Sequence, residues 1–305
     1  MKILLVPDIL NWAFDRDASA VIRYLPEYNI DKVPKSAFHR KFIDEYDLVH
    51  FMSWYDMQSM PDKVSAGVSS HNFELLHYDA SKKIFPKYKA LVGTSRIIYD
   101  KLKDQNDNVF CAQGGVHHDM FIPVSKPESE TFVIGWVAQK TSGKIDIKGY
   151  TSVLLPLMKQ LSIHKNIEFK LLSNTPKNSI KYSDMPSFFD NVDCQICTSL
   201  TEGAPNPMFE AASCGKALIS TNVGAISEFI QHGENGFIVD AYNIGDNNKI
   251  QETIRSFAHY ILTLRGDRDR CRVMGIKSRE IVEESWTWEK RARNWIPVFE
   301  LFNGR

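Results

Sequence analysis

No apolar run in this 305-residue chain approaches the roughly 18 residues that a membrane span needs. The opening Met1-Lys2-Ile3-Leu4-Leu5-Val6-Pro7-Asp8 also lacks the make-up of a secretory signal. Its apolar part stops at Val6, and acids follow where a cleavage site would stand. It reads instead as a first buried strand. There is no surplus charge: 37 basic residues meet 37 acidic ones. A dedicated duplex nucleic-acid binder, which carries a basic excess, is not expected. Cysteine is scarce and odd in number, five in all, so no disulfide framework is implied and a cytoplasmic protein is expected. Cys194-Gln195-Ile196-Cys197 has no second pair to complete a zinc site, and its apolar setting reads as a strand. Internal repeats and low-complexity segments are absent.

What remains is an ordinary globular mixture, 43% hydrophobic and 24% charged. At about 150 residues per domain, the length suggests two domains. Short apolar runs at 3–6, 48–52, 64–68, 90–92 and 109–111 alternate with amphipathic stretches at 17–24, 73–84 and 95–102. After a proline-bounded polar stretch from Pro123 to Glu130, the pattern restarts, with runs at 132–137, 167–172, 192–198, 217–220 and 236–239. Alternation of this kind predicts parallel sheets covered by helices on both faces, and the restart predicts two of them. The last third reads as helices over 250–264, 268–284 and 287–302. In the final one Trp288, Trp295, Phe299 and Phe302 recur at helical spacing as a packing face.

The stretch richest in chemistry is Glu202-Gly203-Ala204-Pro205-Asn206-Pro207-Met208-Phe209-Glu210. Asn206 is a suitable N-cap and Pro207 suits the first helical position, which predicts strand, tight loop, helix. Free N–H groups then meet a helix N-terminus at the carboxyl edge of a parallel sheet, where anions such as phosphate bind. Two glutamates beside an anion site make sense as acceptors for hydroxyls. A ligand with hydroxyls on both sides of a phosphate is a sugar nucleotide.

From Glu202 through Ala211-Ala212-Ser213-Cys214-Gly215-Lys216 and Gly224-Ala225-Ile226-Ser227-Glu228 to His232-Gly233-Glu234-Asn235-Gly236, the sequence resembles the donor-site signature of family-4 retaining glycosyltransferases. Gly114-Gly115-Val116-His117-His118-Asp119 resembles the interdomain linker of that family. Ala90-Leu91-Val92-Gly93-Thr94-Ser95 resembles its strand and Ser-led helix, and Ser285-Trp286-Thr287-Trp288-Glu289 the start of its last helix. The resemblance covers the second half well and the first loosely. It implies an α/β GT-B fold: two Rossmann-like domains facing a cleft, the C-terminal helix crossing back to the first. The corresponding boundaries are 1–124 for an acceptor-side domain, 125–285 for a nucleotide-binding domain and 286–305 for the crossing helix.

The resemblance further implies that Glu202 binds donor-sugar hydroxyls and Glu210 the ribose, while the loop of Gly203, Ala204, Pro205 and Asn206 offers backbone donors to the sugar or diphosphate. Ile147-Lys148-Gly149-Tyr150 supplies the diphosphate lysine of the family, Lys148. The partner arginine is missing, because Trp136 follows Gly135; Lys140 or Lys144 is the candidate replacement. His71, in Ser69-Ser70-His71-Asn72, stands where the family has its cleft histidine. The base is expected near Ser173-Asn174 through Asp184-Met185. Pro7-Asp8-Ile9-Leu10-Asn11-Trp12-Ala13-Phe14 replaces a Gly-Gly loop, and Trp12 and Phe14 either shape the cleft or pack in the core.

Gly143-Lys144-Ile145 is not a P-loop, since Ile145 stands where a hydroxyl would hold magnesium. Asp15-Arg16-Asp17 spells an Asp-x-Asp but lies in an early loop entering a helix, so no metal is expected, and no cofactor. The expected activity is metal-independent, retaining transfer from a nucleotide-diphosphate sugar to an acceptor that is a glycan, a lipid-linked group or another hydroxyl. A nucleotide-sugar 2-epimerase or a non-catalytic binding module would share the fold. Lys82, Lys83, Lys87 and Lys89 around Ile84, Phe85 and Tyr88 form either a peripheral membrane contact or a solvated helix end.

Overall fold

In the computed structural model, described over residues 1–54, 61–68, 77–125, 129–140, 145–173, 180–243 and 245–303, the apolar runs pair into two separate sheets. The chain divides into two compact units. One comprises Met1–Gly115, Glu202–Ala204 and Trp288–Arg305; the other comprises Val116–Thr201 and Pro205–Thr287. Each holds one sheet, and each is Rossmann-like.

The first sheet runs β2-β1-β3-β4-β5-β6, with β1 Lys2–Val6, β2 Asn29–Lys32, β3 Leu48–Phe51, β4 Val64–Val68, β5 Ala90–Gly93 and β6 Val109–Cys111. Its pairings are parallel. Ile3 and Leu5 enter one core with Ala18 and Val21 of the helix Ala13–Tyr24. Leu4 and Val6 enter the opposite core with Val49, Phe51, Phe85 and Ile98. A strand buried on both faces has no polar side, hence the unbroken apolar runs in the sequence. The terminal segment completes the first of these cores: Trp288, Trp295, Val298, Phe299 and Phe302 all pack there. Each such side chain contributes roughly 1.5–3 kcal/mol by burial.

Two local differences from the sequence reading have clear causes. Strand β2 escaped it because Asn29-Ile30-Asp31-Lys32 is a partly exposed edge strand with a single apolar residue. The helix expected over 287–302 is broken into Trp288–Arg291, a 3₁₀ turn Ala292–Trp295, and Ile296–Glu300. Pro297 lacks an N–H and its ring crowds the carbonyl of Arg293, so the preceding turn tightens. In the lysine-rich patch, Ile84, Phe85 and Tyr88 are buried, leaving Lys82, Lys83 and Lys87 exposed.

At the carboxyl end of β1, Asn11 takes a left-handed conformation, φ 60°, one that a glycine would otherwise supply. Its N–H bonds Asp15 at 2.9 Å, and Asp15 is paired with Lys32 at 2.6 Å. Asp15, the first acid of the early Asp-x-Asp, therefore has a structural use inside this unit.

The second sheet runs β11-β10-β9-β7-β8, with β7 Phe132–Val137, β8 Ile167–Leu172, β9 Cys194–Cys197, β10 Ala217–Thr221 and β11 Gly236–Val239. It too is parallel. Cys194 and Cys197 lie buried within β9 as small core residues. The helix Asn247–Gly266 covers the sheet with Ile254, Phe257, Ile261 and Leu264. Between β7 and β8 a helical segment the sequence reading did not assign opens with a wide π-type turn, Leu154 N–H to Gly149 O at 2.8 Å, and continues as Leu155–Leu161. Among the described residues, no helix is long and apolar enough to cross a membrane.

Candidate functional site

In the second unit the chain leaves β7 for β8 on one side, then returns to lay β9 on the other side of β7. Connections that part in opposite directions leave a crevice at the carboxyl ends of the two strands, where open α/β sheets bind ligands. The loop after β7 brings Lys140 and Lys148 to this edge. The loop after β9 leads into the helix Asn206–Ser213, which carries Glu210.

The loop after β7 is tied at many points. Asp146 accepts the N–H groups of Tyr150, Thr151 and Ser152 at 2.9, 2.7 and 2.8 Å, and the hydroxyls of Thr151 and Ser152 at 2.7 and 2.9 Å. Burial pushes its carboxyl up, but these donors outweigh burial and hold it below the usual carboxylate range. Asp146 thus fixes the start of the helical segment, and the backbone before it turns through Gly149 at φ 65°. A side chain there would overlap the carbonyl oxygen of Thr198 as well as strain the backbone.

Thr198, just past the end of β9, joins this loop to its own. Its hydroxyl donates to Lys148 O at 2.8 Å and accepts the indole N–H of Trp136 at 3.1 Å. Its carbonyl accepts from the Tyr242 hydroxyl at 3.3 Å. Burial pushes the Tyr242 phenol up to about 12, so it stays a donor at neutral pH. Leu200 N–H adds a bond to Ile147 O at 2.7 Å. Lys148 is half-buried within this frame. Lys140 is exposed, with its ammonium 4.7 Å from the centre of the Tyr150 ring, and that ring lies 5.6 Å from Trp136.

The helix after β9 begins one residue earlier than its sequence suggests. Pro205 occupies the cap position, Asn206 is the first helical residue, and Asn206 makes no side-chain cap bond. Proline at the cap with a second at Pro207 leaves the fixed φ of the prolines, rather than an Asn side chain, to start the turn. Glu210 is 4% exposed. Beside it Phe209 stacks on Trp286 at 4.8 Å. The far end of the helix is clamped: Arg279 Nη1 donates to the carbonyls of Ser213, His118 and Phe121 at 2.9, 2.9 and 2.7 Å, and Ser213 Oγ donates to Phe121 O at 2.7 Å. A cation at a helix C-terminus also suits the helix dipole.

Lys140, Lys148, Pro205, Asn206 and Glu210 therefore all belong to the second unit. Glu202, Gly203 and Ala204 group with the first, with Glu202 half-buried. His71 and Lys144 lie outside the described residues, as does 174–179, part of the stretch expected to meet the base. Asp146, Thr198, Tyr242 and Arg279 were not singled out from the sequence. Only Asp146, an acid just ahead of Thr151-Ser152 and a helical run, carried a usable capping signal. Among the described residues, no three His, Cys, Asp or Glu side chains converge as a metal-ligand set.

Residues 147–260 match the family described as glycosyl transferases group 1. N-acetyl-alpha-D-glucosaminyl L-malate synthase of Bacillus anthracis is 28% identical over 48% of this chain and 33% of that protein. The chain spans about a third of the length of the first curated relatives it matches. Among solved structures, sucrose-phosphate synthase from Thermosynechococcus elongatus has a TM-score of 0.69 at 12% identity, covering 100% of both chains. Anabaena HepE in complex with UDP and glucose has a TM-score of 0.68 at 12% identity, covering 98% of this chain and 100% of that one. The fold is that of the GT-B glycosyltransferases, and the resemblance to family 4 read from the residues around Glu202 and Glu210 agrees with the family match.

Proposed function

We propose that this family-4-like glycosyltransferase moves a sugar, with retention, from a nucleotide-diphosphate sugar to an acceptor hydroxyl. The observation that carries the reading is the pinned loop at the β7–β9 crevice, which holds Lys148 at the carboxyl edge of the sheet in the same unit as Glu210. Support for the donor class comes from a GT-B neighbour solved with UDP and glucose.

In the proposed reaction the anomeric C–O bond to the diphosphate breaks while the acceptor oxygen attacks from the same face. The acceptor proton passes to the departing phosphate oxygen, and no protein nucleophile takes part. Negative charge grows on the diphosphate as the sugar becomes oxocarbenium-like. Lys148 and the backbone N–H groups that the loop offers, which Pro205 lacks, stabilise that charge, and a pre-placed donor is worth more there than in water. Glu210 accepts the ribose hydroxyls and Glu202 those of the sugar. Lys140, held over Tyr150, is the candidate for the second diphosphate charge that Trp136 does not supply. The mechanism uses neither metal nor cofactor.

Thermal shift against UDP-, GDP- and ADP-sugars, followed by donor turnover with and without EDTA, tests the reading. A true donor raises the melting temperature with dose, since a ligand that binds only the folded chain stabilises it by mass action. Turnover that persists in EDTA is expected. Loss on chelation with recovery in manganese would overturn the metal-free mechanism. Saturable binding with no turnover would instead favour a binding module, which the absence of an arginine at Trp136 makes the second reading.

A further inference from the structure

The Trp136 indole cannot stand in for a missing cation, yet it is not idle. It is 1% exposed, and its N–H can only donate. The carbonyl of Lys148 can only accept. Thr198 Oγ1 lies between them, 3.1 Å from the indole nitrogen and 2.8 Å from the carbonyl oxygen. A hydroxyl has one proton to give and lone pairs to receive, so a single proton direction satisfies the whole chain: Trp136 to Thr198, Thr198 to Lys148 O. Gly149, directly after Lys148, is packed so closely against the Thr198 carbonyl that no side chain fits, and the Tyr242 hydroxyl donates to that same carbonyl.

We infer that Thr198 is the positioning residue for Lys148, with Trp136 orienting the Thr198 hydroxyl. This rests on the role given to Lys148 in the proposed function. The indole that stands where the family has an arginine thereby helps to fix the backbone of Lys148. Thr198 acts on the reaction only through Lys148. A lysine that must meet a developing charge gains from a fixed backbone, and a displacement of about 1 Å can cost on the order of a hundredfold in rate.

The test uses the whole chain with Thr198→Val, which keeps the shape and loses the hydroxyl, Thr198→Ser, which keeps the hydroxyl, and Trp136→Phe, which removes the orienting donor together with part of the buried ring volume. Two readouts are combined. Amide hydrogen exchange over 147–150 reads the lock without any substrate. It is expected to speed up about tenfold or more in Thr198→Val and to stay near wild type in Thr198→Ser.

Donor turnover reads the consequence. Thr198→Val is expected to lower kcat about ten- to a hundredfold with donor KM within about threefold. Trp136→Phe is expected to fall between, and Thr198→Ser to stay within about threefold of wild type. In a Lys148→Met background, Thr198→Val is expected to add less than about threefold, because residues that act as one unit are not additive. Unchanged exchange in Thr198→Val, or losses that multiply with Lys148→Met, would overturn the positioning role. Faster exchange in Thr198→Val from a wild-type protein that turns over no nucleotide sugar would keep the lock and overturn the function on which its rate effect rests.

Discussion

Gly149 lies against the carbonyl oxygen of Thr198 so closely that a Cβ on it would overlap that oxygen, and its φ of 65° is one that side chains rarely adopt. Two loops from adjacent strands meet at this point, and the chain can pass only as glycine. Gly149→Ala is expected to destabilise the second unit by roughly 2–4 kcal/mol, from left-handed strain and overpacking together. The midpoint of urea unfolding checks this. A midpoint equal to wild type would mean that the loop can move away from Thr198 at no cost.

Glu210 and Glu202 are expected to separate by ligand. Glu210→Ala removes an acceptor for ribose hydroxyls, so free nucleoside diphosphate binds more weakly by about 1–3 kcal/mol. Glu202→Gln leaves nucleoside diphosphate binding near wild type while donor turnover falls steeply. Calorimetry with the free nucleotide and with the sugar nucleotide distinguishes the two; equal losses on both ligands for both variants would mean the roles are wrongly divided.

His50 gives the first unit an acid limit. It is fully buried, bonded through Nδ1 to Ser65 Oγ at 2.8 Å and packed edge-on against Trp295 at 4.9 Å. Burial lowers its pKa from 6.5 to about 3. Below pH 6.5 the unfolded chain takes up a proton that the folded protein refuses until about pH 3, so stability falls as pH drops through that window. The slope is up to about 1.4 kcal/mol per pH unit, and the loss at pH 5 is about 2 kcal/mol. In His50→Leu the loss between about pH 8 and pH 5 is expected to shrink by about that amount, even though neutral-pH stability drops because Ser65 loses its partner. An unchanged pH slope in His50→Leu would place the acid sensitivity elsewhere.

The sequence made the single restart of the strand pattern and the Glu202–Glu210 segment legible, because strands buried on both faces are continuous apolar runs and because that segment resembles the family-4 donor-site signature. It hid β2, whose edge position needs no apolar run, and the break at Pro297, where helical spacing of the aromatics outweighed a single proline in the reading. It hid Thr198 as well. Nothing in a threonine after a strand says that its hydroxyl will bridge an indole and a carbonyl, respectively 62 and 50 residues away in the chain. Trp136 was legible only as a missing arginine; what it does instead depends on the partner that β9 brings alongside β7.

The central claim is that Lys148 stabilises the departing diphosphate, and steady-state donor turnover by Lys148→Met tests it most directly. The substitution keeps most of the side-chain stem and removes the charge. A cation that acts on charge developed in the transition state affects the chemical step more than ground-state binding. The expected result is a kcat lower by about a hundredfold or more, the loss typical of removing one pre-placed donor, with donor KM changed by less than about fivefold. A kcat within about threefold of wild type would contradict the account.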